Sequence, residues 1–182
     1  MIILPDKIII QIPKTGCMSR MSEYGVNPWF KINDKCNAVT YYDAGDAPLP
    51  SIHTPYHLIP KKYSHLPTYT YVRNPWNRTV SRYYYSKKYY KINVTFEEFI
   101  NKQYISEEHK TYHWGPPSWK QQTDWIGNNT ICYKFEECNF KYHLLSSNIT
   151  NYNNEYTRKL IDLVGDYYQN DIIKFNYLPE KV

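Results

Sequence analysis

The sequence has no apolar run approaching the roughly 18 consecutive residues of a membrane-spanning helix, so a membrane-embedded protein is not expected. It has no internal repeat, which excludes solenoids and propellers built from repeated units. None of its four cysteines (Cys17, Cys36, Cys132, Cys138) forms a C-x-x-C pair, and no histidines stand at zinc-finger spacing. A structural zinc site is therefore not expected, and the cysteines read as free thiols. No cluster of carboxylates has the pattern of a metal-ligand set. The string G-x-x-x-x-G-K-[ST] is absent, which argues against hydrolysis of ATP or GTP through a Walker-type loop. The opening residues Met1 to Lys7 lack a basic flank ahead of their apolar positions. That makes a poor signal peptide, and the segment reads as the lead-in to a first strand.

What is present is a chain of 182 residues with a formal charge of +5, 18% aromatic residues and 21 tyrosines. This length is most simply one domain, residues 1–182, with a substantial core. The mild positive charge suits an anionic ligand without demanding one. Tyrosine, asparagine, lysine and isoleucine share AT-rich codons, so the tyrosine excess points first to a biased genome, such as a virus or an AT-rich microbe. The Asn-x-Ser/Thr matches at Asn77, Asn93, Asn128 and Asn148 are what an asparagine-rich chain gives by chance.

The pattern alternates strands and helices. A buried strand is expected over 7–12, then a helix over 17–24, a loop over 25–35, a second strand over 37–42 and a turn-rich segment over 43–50. Thr54-Pro55 has the hydroxyl and proline of a helix start, with Pro60 as its stop. A third strand over 68–73 leads into a long helix from Asn74-Pro75 to about Lys88. Thr95 and Glu98 form a capping box opening a helix over 95–104. An irregular stretch (109–120), a fourth strand over 130–135 and helices over 140–146 and 154–168 complete the reading. The expected fold is a three-layer, P-loop-like α/β domain with a mainly parallel central sheet flanked by helices.

Two segments carry the chemistry. In Ile12-Pro13-Lys14-Thr15-Gly16-Cys17-Met18-Ser19 a strand runs through a tight turn into a helix. Backbone N–H groups and one lysine thereby gather at the positive end of a helix dipole, where phosphate and sulfate bind. Cys17 draws notice because a helix N-terminus depresses a thiol pKa. The segment Tyr71-Val72-Arg73-Asn74-Pro75-Trp76-Asn77-Arg78-Thr79-Val80-Ser81 repeats the layout. Arg73 ends the strand, while Arg78 and Ser81 share one helix face, offering forked and hydroxyl donors to phosphate. Two anion sites on neighbouring strand ends suggest one ligand with two separated phosphates.

The first segment resembles the 5′-phosphosulfate loop, I-P-K-T-[GA]-[GC]-[TS]-S, of sulfotransferases that use 3′-phosphoadenosine 5′-phosphosulfate (PAPS). Met18 departs from it where a hydroxyl is usual. The second resembles their 3′-phosphate site, F-V-R-[DN]-P-[WYF]-x-R-x-x-S. Looser likenesses to carbohydrate-type members lie at Gln121, Thr123, Asp124 and Trp125, at 131–137, and at 167–177, where the closing pattern is Y-x-x-D-[FIL]-x-x-[FY]-x-Y. The resemblance implies a sulfuryl transfer from PAPS to an acceptor hydroxyl, most simply on a glycan, with 3′-phosphoadenosine 5′-phosphate (PAP) as product and no metal. It assigns Lys14, Thr15, Gly16, Cys17, Met18 and Ser19 to the 5′ end of the donor and Arg73, Arg78 and Ser81 to the 3′ end.

Lys14 is expected to stabilise the leaving phosphate, and His53, before Thr54-Pro55, to act as general base near neutral pKa, with His57 and Glu23 as substitutes. Trp29, Trp114, Trp119 and Trp125 offer flat faces for sugar rings, and Lys61-Lys62 and Lys87-Lys88 offer positive charge to an anionic glycan. The alternatives are transfer to tyrosine, phenol or another small molecule, and a nucleotide-binding protein that has lost catalysis. A nucleic-acid-binding protein would spread its basic residues over one face, whereas here the arginines concentrate in one motif. No membrane span, anchor or nucleic-acid partner is expected, and the location is read as soluble and cytoplasmic, or that of a viral protein in a host cell.

Overall fold

The computed structural model describes residues 1–24, 39–40, 53–104, 119–138 and 155–179. Expectations for the loop at 25–35, the turns at 43–50, most of the stretch at 109–120 and the helix at 140–146 lie outside them, as do Cys36, Trp29 and Trp114.

The sheet has five strands, β1 (Ile2–Ile3), β2 (Ile8–Ile10), β3 (Val39–Thr40), β4 (Thr68–Val72) and β5 (Ile131–Lys134), in the order β3-β1-β2-β4-β5. The β2–β4 and β4–β5 pairings are parallel, with Ile10 opposite Thr70 and Val72 opposite Lys134. β1 is antiparallel to both β2 and β3, so it alone runs against the other four. The opening residues are thus a strand rather than a lead-in. Pro5 and Asp6 make a tight turn closed by Leu4 N–H on the Lys7 carbonyl, returning the chain into β2.

Successive strand residues face opposite sides, and helices cover both. Ile9 and Tyr69 pack with Met21 of α1 (Cys17–Glu23). On the other face, Ile10, Ile12 and Val72 join the main core with α2 (Pro75–Tyr90), α3 (Phe96–Tyr104), α4 (Arg158–Tyr167) and α5 (Gln169–Phe175). Trp76, Val80 and Tyr83 of α2 recur at helical spacing on this core face.

Local signals explain the helix starts. The Asn74 side chain accepts hydrogen bonds from the N–H groups of Trp76 and Asn77, with Pro75 in the first helical position. Thr95 and Glu98 form the capping box, the Thr95 N–H donating to Glu98 Oε2 and the Glu98 N–H to Thr95 Oγ1. The Thr54-Pro55 start behaves differently: it yields one 3-10 turn over Tyr56–Leu58 whose N-terminus has no side-chain cap. Pro60 follows too soon for α-helical hydrogen bonds to accumulate. The expected helix at 154–168 begins at Arg158 behind a Thr157 cap, and a second helix, α5, follows directly from Tyr168. No helix among the described residues is long and apolar enough to cross a membrane.

Candidate functional site

Parallel pairing of β2 with β4 sets the turns that follow them side by side. The turn after β2 is tightly wound: Lys14 and Gly16 both have positive φ, 69° and 85°. A Cβ on Gly16 would stand 2.7 Å from Phe135 Cε2, so glycine is needed twice there, for conformation and for space. Thr15 Oγ1 and Cys17 Sγ both donate to the Ile12 carbonyl, at 2.8 Å each, tying the turn to the strand end. Thr15 therefore has only its backbone N–H to offer a ligand. Ser19, in the first turn of α1, is half-buried. Met18 lies in the same turn, and its side chain, like that of Glu23, is outside the described set.

The arginines of the second turn grip the first. Arg73 Nη1 donates to the Lys14 carbonyl at 3.3 Å, and its guanidinium lies over the Phe135 ring. Arg78 is 1% exposed and donates from Nε to the Pro13 carbonyl and from Nη1 to the Lys120 carbonyl. Its Nη2 is buried with no hydrogen-bond partner. Arg78, expected as an open phosphate ligand, thus spends most of its fork stapling the lysine-bearing turn. Ser81, one turn further along α2, is buried beside it.

Positive charge is concentrated here. Among the described residues no carboxylate reaches ion-pair distance of Lys14 or Arg78. Burial pushes the Lys14 ammonium down from its ordinary 10.5 to about 7, and Arg73 and Arg82 push the same way. Its Nζ sits 3.8 Å from the centre of the Tyr85 ring. Burial raises the Cys17 thiol despite its hydrogen bonds and the nearby lysine. Position at the helix N-terminus thus does not depress this thiol; Cys17 is a small buried side chain in a crowded turn. Cys17, Cys132 and Cys138 are all free.

His53 lies against the first turn. Its Nδ1 is 2.7 Å from the Gln11 carbonyl, which requires a proton on Nδ1 and leaves the lone pair on Nε2. The ring meets Trp125 edge to face at 6.5 Å. Its pKa is lowered from 6.5 to about 3, chiefly by burial, with Lys14 and Arg78 contributing repulsion. The expectation of a base titrating near neutrality is overturned for the free protein. His57 is exposed on the 3-10 turn, and Trp125 is buried, so it offers no open ring face. Trp119 packs against Arg82.

A buried polar clamp, with no role assigned from the sequence, fixes the Arg73 backbone. Gln122 Oε1 accepts from the Arg73 N–H and Gln122 Nε2 donates to the Arg73 carbonyl, both at 2.8 Å. Asp171 in turn accepts from the N–H groups of Gln122 and Thr123 and from Gln122 Nε2. Burial raises the Asp171 pKa, opposed by Arg78 and by these donors. Glu136 accepts from the Asn74 N–H and from the Tyr177 hydroxyl, and Asn74 Nδ2 donates to the Leu178 carbonyl. The glutamine that matters is Gln122, which stands three residues before Trp125, rather than Gln121. Asp171 and Tyr177 fall at the aspartate and final tyrosine of the closing pattern. Their types and spacing were visible in the sequence, but their partners were not.

The arrangement sets the turn that carries Lys14 beside the turn that carries Arg73, Arg78 and Ser81, with Arg73 and Arg78 donating to carbonyls of the first turn. Compared with known proteins, the chain matches no family model, no curated protein and no solved structure.

Proposed function

We propose that this chain is a PAPS-dependent sulfotransferase acting on an acceptor hydroxyl, most simply on a carbohydrate. The observation that carries the reading is the meeting of two motif-bearing turns, with Arg73 Nη1 3.3 Å from the Lys14 carbonyl. The lack, among the described residues, of a carboxylate at ion-pair distance from Lys14 and the unpartnered Nη2 of Arg78 fit a ligand with two separated anionic groups. The fold reading that goes with it is a P-loop-like domain. A soluble location accompanies the same proposal.

In this reading Lys14 and the N–H groups of Thr15 to Ser19 hold the 5′-phosphosulfate, while Arg73, Arg78 Nη2 and Ser81 hold the 3′-phosphate. When bound, PAPS supplies the sulfuryl group: its bond to the 5′-phosphate oxygen breaks, the electron pair stays on that oxygen, and the acceptor oxygen bonds sulfur. Lys14 neutralises the charge that grows on the leaving oxygen, a contact whose loss typically costs about 100- to 1000-fold in rate. His53 takes the acceptor proton at Nε2. Its low pKa in the free protein reflects burial beside Lys14 and Arg78, and an anionic donor between these cations moves that pKa upward.

Calorimetric titration with PAP tests the reading. Wild type should bind, and Lys14→Ala and Arg73→Ala should each weaken binding at least tenfold. Binding indifferent to both substitutions removes the assignment. Met18, which stands where the resemblance has a hydroxyl, supports a second reading, a nucleotide-binding protein without transferase activity. PAP binding with no labelled product from glycan, phenol or tyrosine acceptors would select it.

A further inference from the structure

One face of α2 carries Arg78, Arg82, Tyr85 and Tyr89 in successive turns, and exposure rises along it from 1% through 8% and 38% to 55%. The stripe leads from the buried arginines to solvent, and Lys14 meets it at Tyr85, with Nζ 3.8 Å from the ring centre. Tyr85 is braced on both sides. Its ring packs against Tyr89 at 4.5 Å and meets Tyr90 edge to face at 5.8 Å. The backbone of Lys14 is pinned independently by Arg73. The main chain of the turn is thus fixed while the lysine side chain is drawn aside onto an aromatic face.

We infer that Tyr85 is a positioning residue that parks the Lys14 ammonium by a cation–π contact in the anion-free protein, so that ligand binding must pull the lysine off the ring. The inference rests on the proposed role of Lys14 as an anion ligand and adds a built-in competitor to it. A half-buried ammonium that Arg73 and Arg82 repel gains from a negative ring face when no anion is present. An anionic group in the turn attracts the same ammonium more strongly, and the Tyr85 ring face is then uncovered next to the reacting group. Tyr85 is partly exposed, so its replacement leaves the core of α2 intact.

The test is a set of PAP titrations on the full chain. Tyr85→Leu removes the ring and should tighten PAP binding about two- to fivefold, the range expected for a partly exposed cation–π contact. Tyr85→Phe keeps the ring and should bind like wild type. In a Lys14→Ala background, Tyr85→Leu should change nothing. Tyr85→Leu that leaves affinity unchanged or weakens it, or acts equally without Lys14, overturns the inference. A Lys14→Ala protein that binds PAP like wild type instead overturns the proposed function, so the two failures are distinct. As a check that needs no substitution, the Lys14 ε-methylene proton resonances of wild type should be shifted upfield by the Tyr85 ring and should lose that shift on adding PAP. Absence of the shift in the free protein, or its persistence in the complex, also overturns the inference.

Discussion

Lys14 offers the most quantitative test of the site. Burial, Arg73 and Arg82 hold its pKa near 7 in the free protein, so a ligand carrying phosphates must bring a proton with it. With a bound-state pKa returned toward the ordinary lysine value, PAP binding should take up about 0.5 proton at pH 7 and about 0.9 at pH 8. Above pH 7.5 the phosphates are fully ionised, their second pKa being about 6. The dissociation constant should then rise by about tenfold per pH unit, or about 100-fold between pH 7.5 and 9.5. Calorimetry in buffers of different ionisation enthalpy measures the uptake directly. Lys14→Arg, charged throughout, should bind with neither uptake nor slope. A flat wild-type profile, or a slope that survives in Lys14→Arg, refutes the linkage. Stability of the free protein carries the complementary signature. The unfolded chain keeps the Lys14 proton up to about 10.5 while the folded chain loses it near 7. The unfolded state therefore binds more protons between those values, and stability should rise with pH across that window, by at most about 1.4 kcal/mol per unit. In Lys14→Ala this contribution should vanish from the pH dependence of urea midpoints.

Other substitutions follow from the same geometry. Gly16→Ala forces a side chain into positive φ and against Phe135, and should lose about 1–3 kcal/mol in urea unfolding; wild-type stability would contradict the turn. Gln122→Ala strands the Arg73 N–H and carbonyl and one Asp171 contact, and should cost about 2–4 kcal/mol together with a loss of PAP affinity. Unchanged affinity in a folded Gln122→Ala protein would show that the clamp does not position Arg73. His53→Ala should leave the PAP dissociation constant within about twofold while lowering kcat by roughly 100- to 10,000-fold. A His53→Ala enzyme of normal kcat would move the base elsewhere.

The sequence was most legible where chemistry is local. Asn74-Pro75 and the Thr95–Glu98 box fix their helices through contacts within four residues, so their starts follow from residue types alone. The strand that ends in Ile10 was readable as a buried apolar run and the one that ends in Val72 from its β-branched and aromatic residues, while their parallel pairing is a contact between segments sixty positions apart. Less legible was anything that depends on burial. The Pro5-Asp6 turn signals a hairpin, but two isoleucines are too short a strand to register. The depressed His53, the raised Cys17 thiol and the carbonyl contacts of Arg78 arise from packing of segments distant in sequence. So does the pairing of Gln122 with Asp171, forty-nine positions apart.

The central claim is that the turns after β2 and β4 hold opposite ends of one adenosine nucleotide. It is tested most directly by comparing PAP with adenosine 5′-monophosphate and adenosine 3′-monophosphate in wild type, Lys14→Ala and Arg73→Ala. Lys14→Ala should abolish the advantage conferred by the 5′-phosphate and keep that of the 3′-phosphate, and Arg73→Ala should do the reverse. Equal losses for all three nucleotides in both variants, or no loss in either, would contradict it.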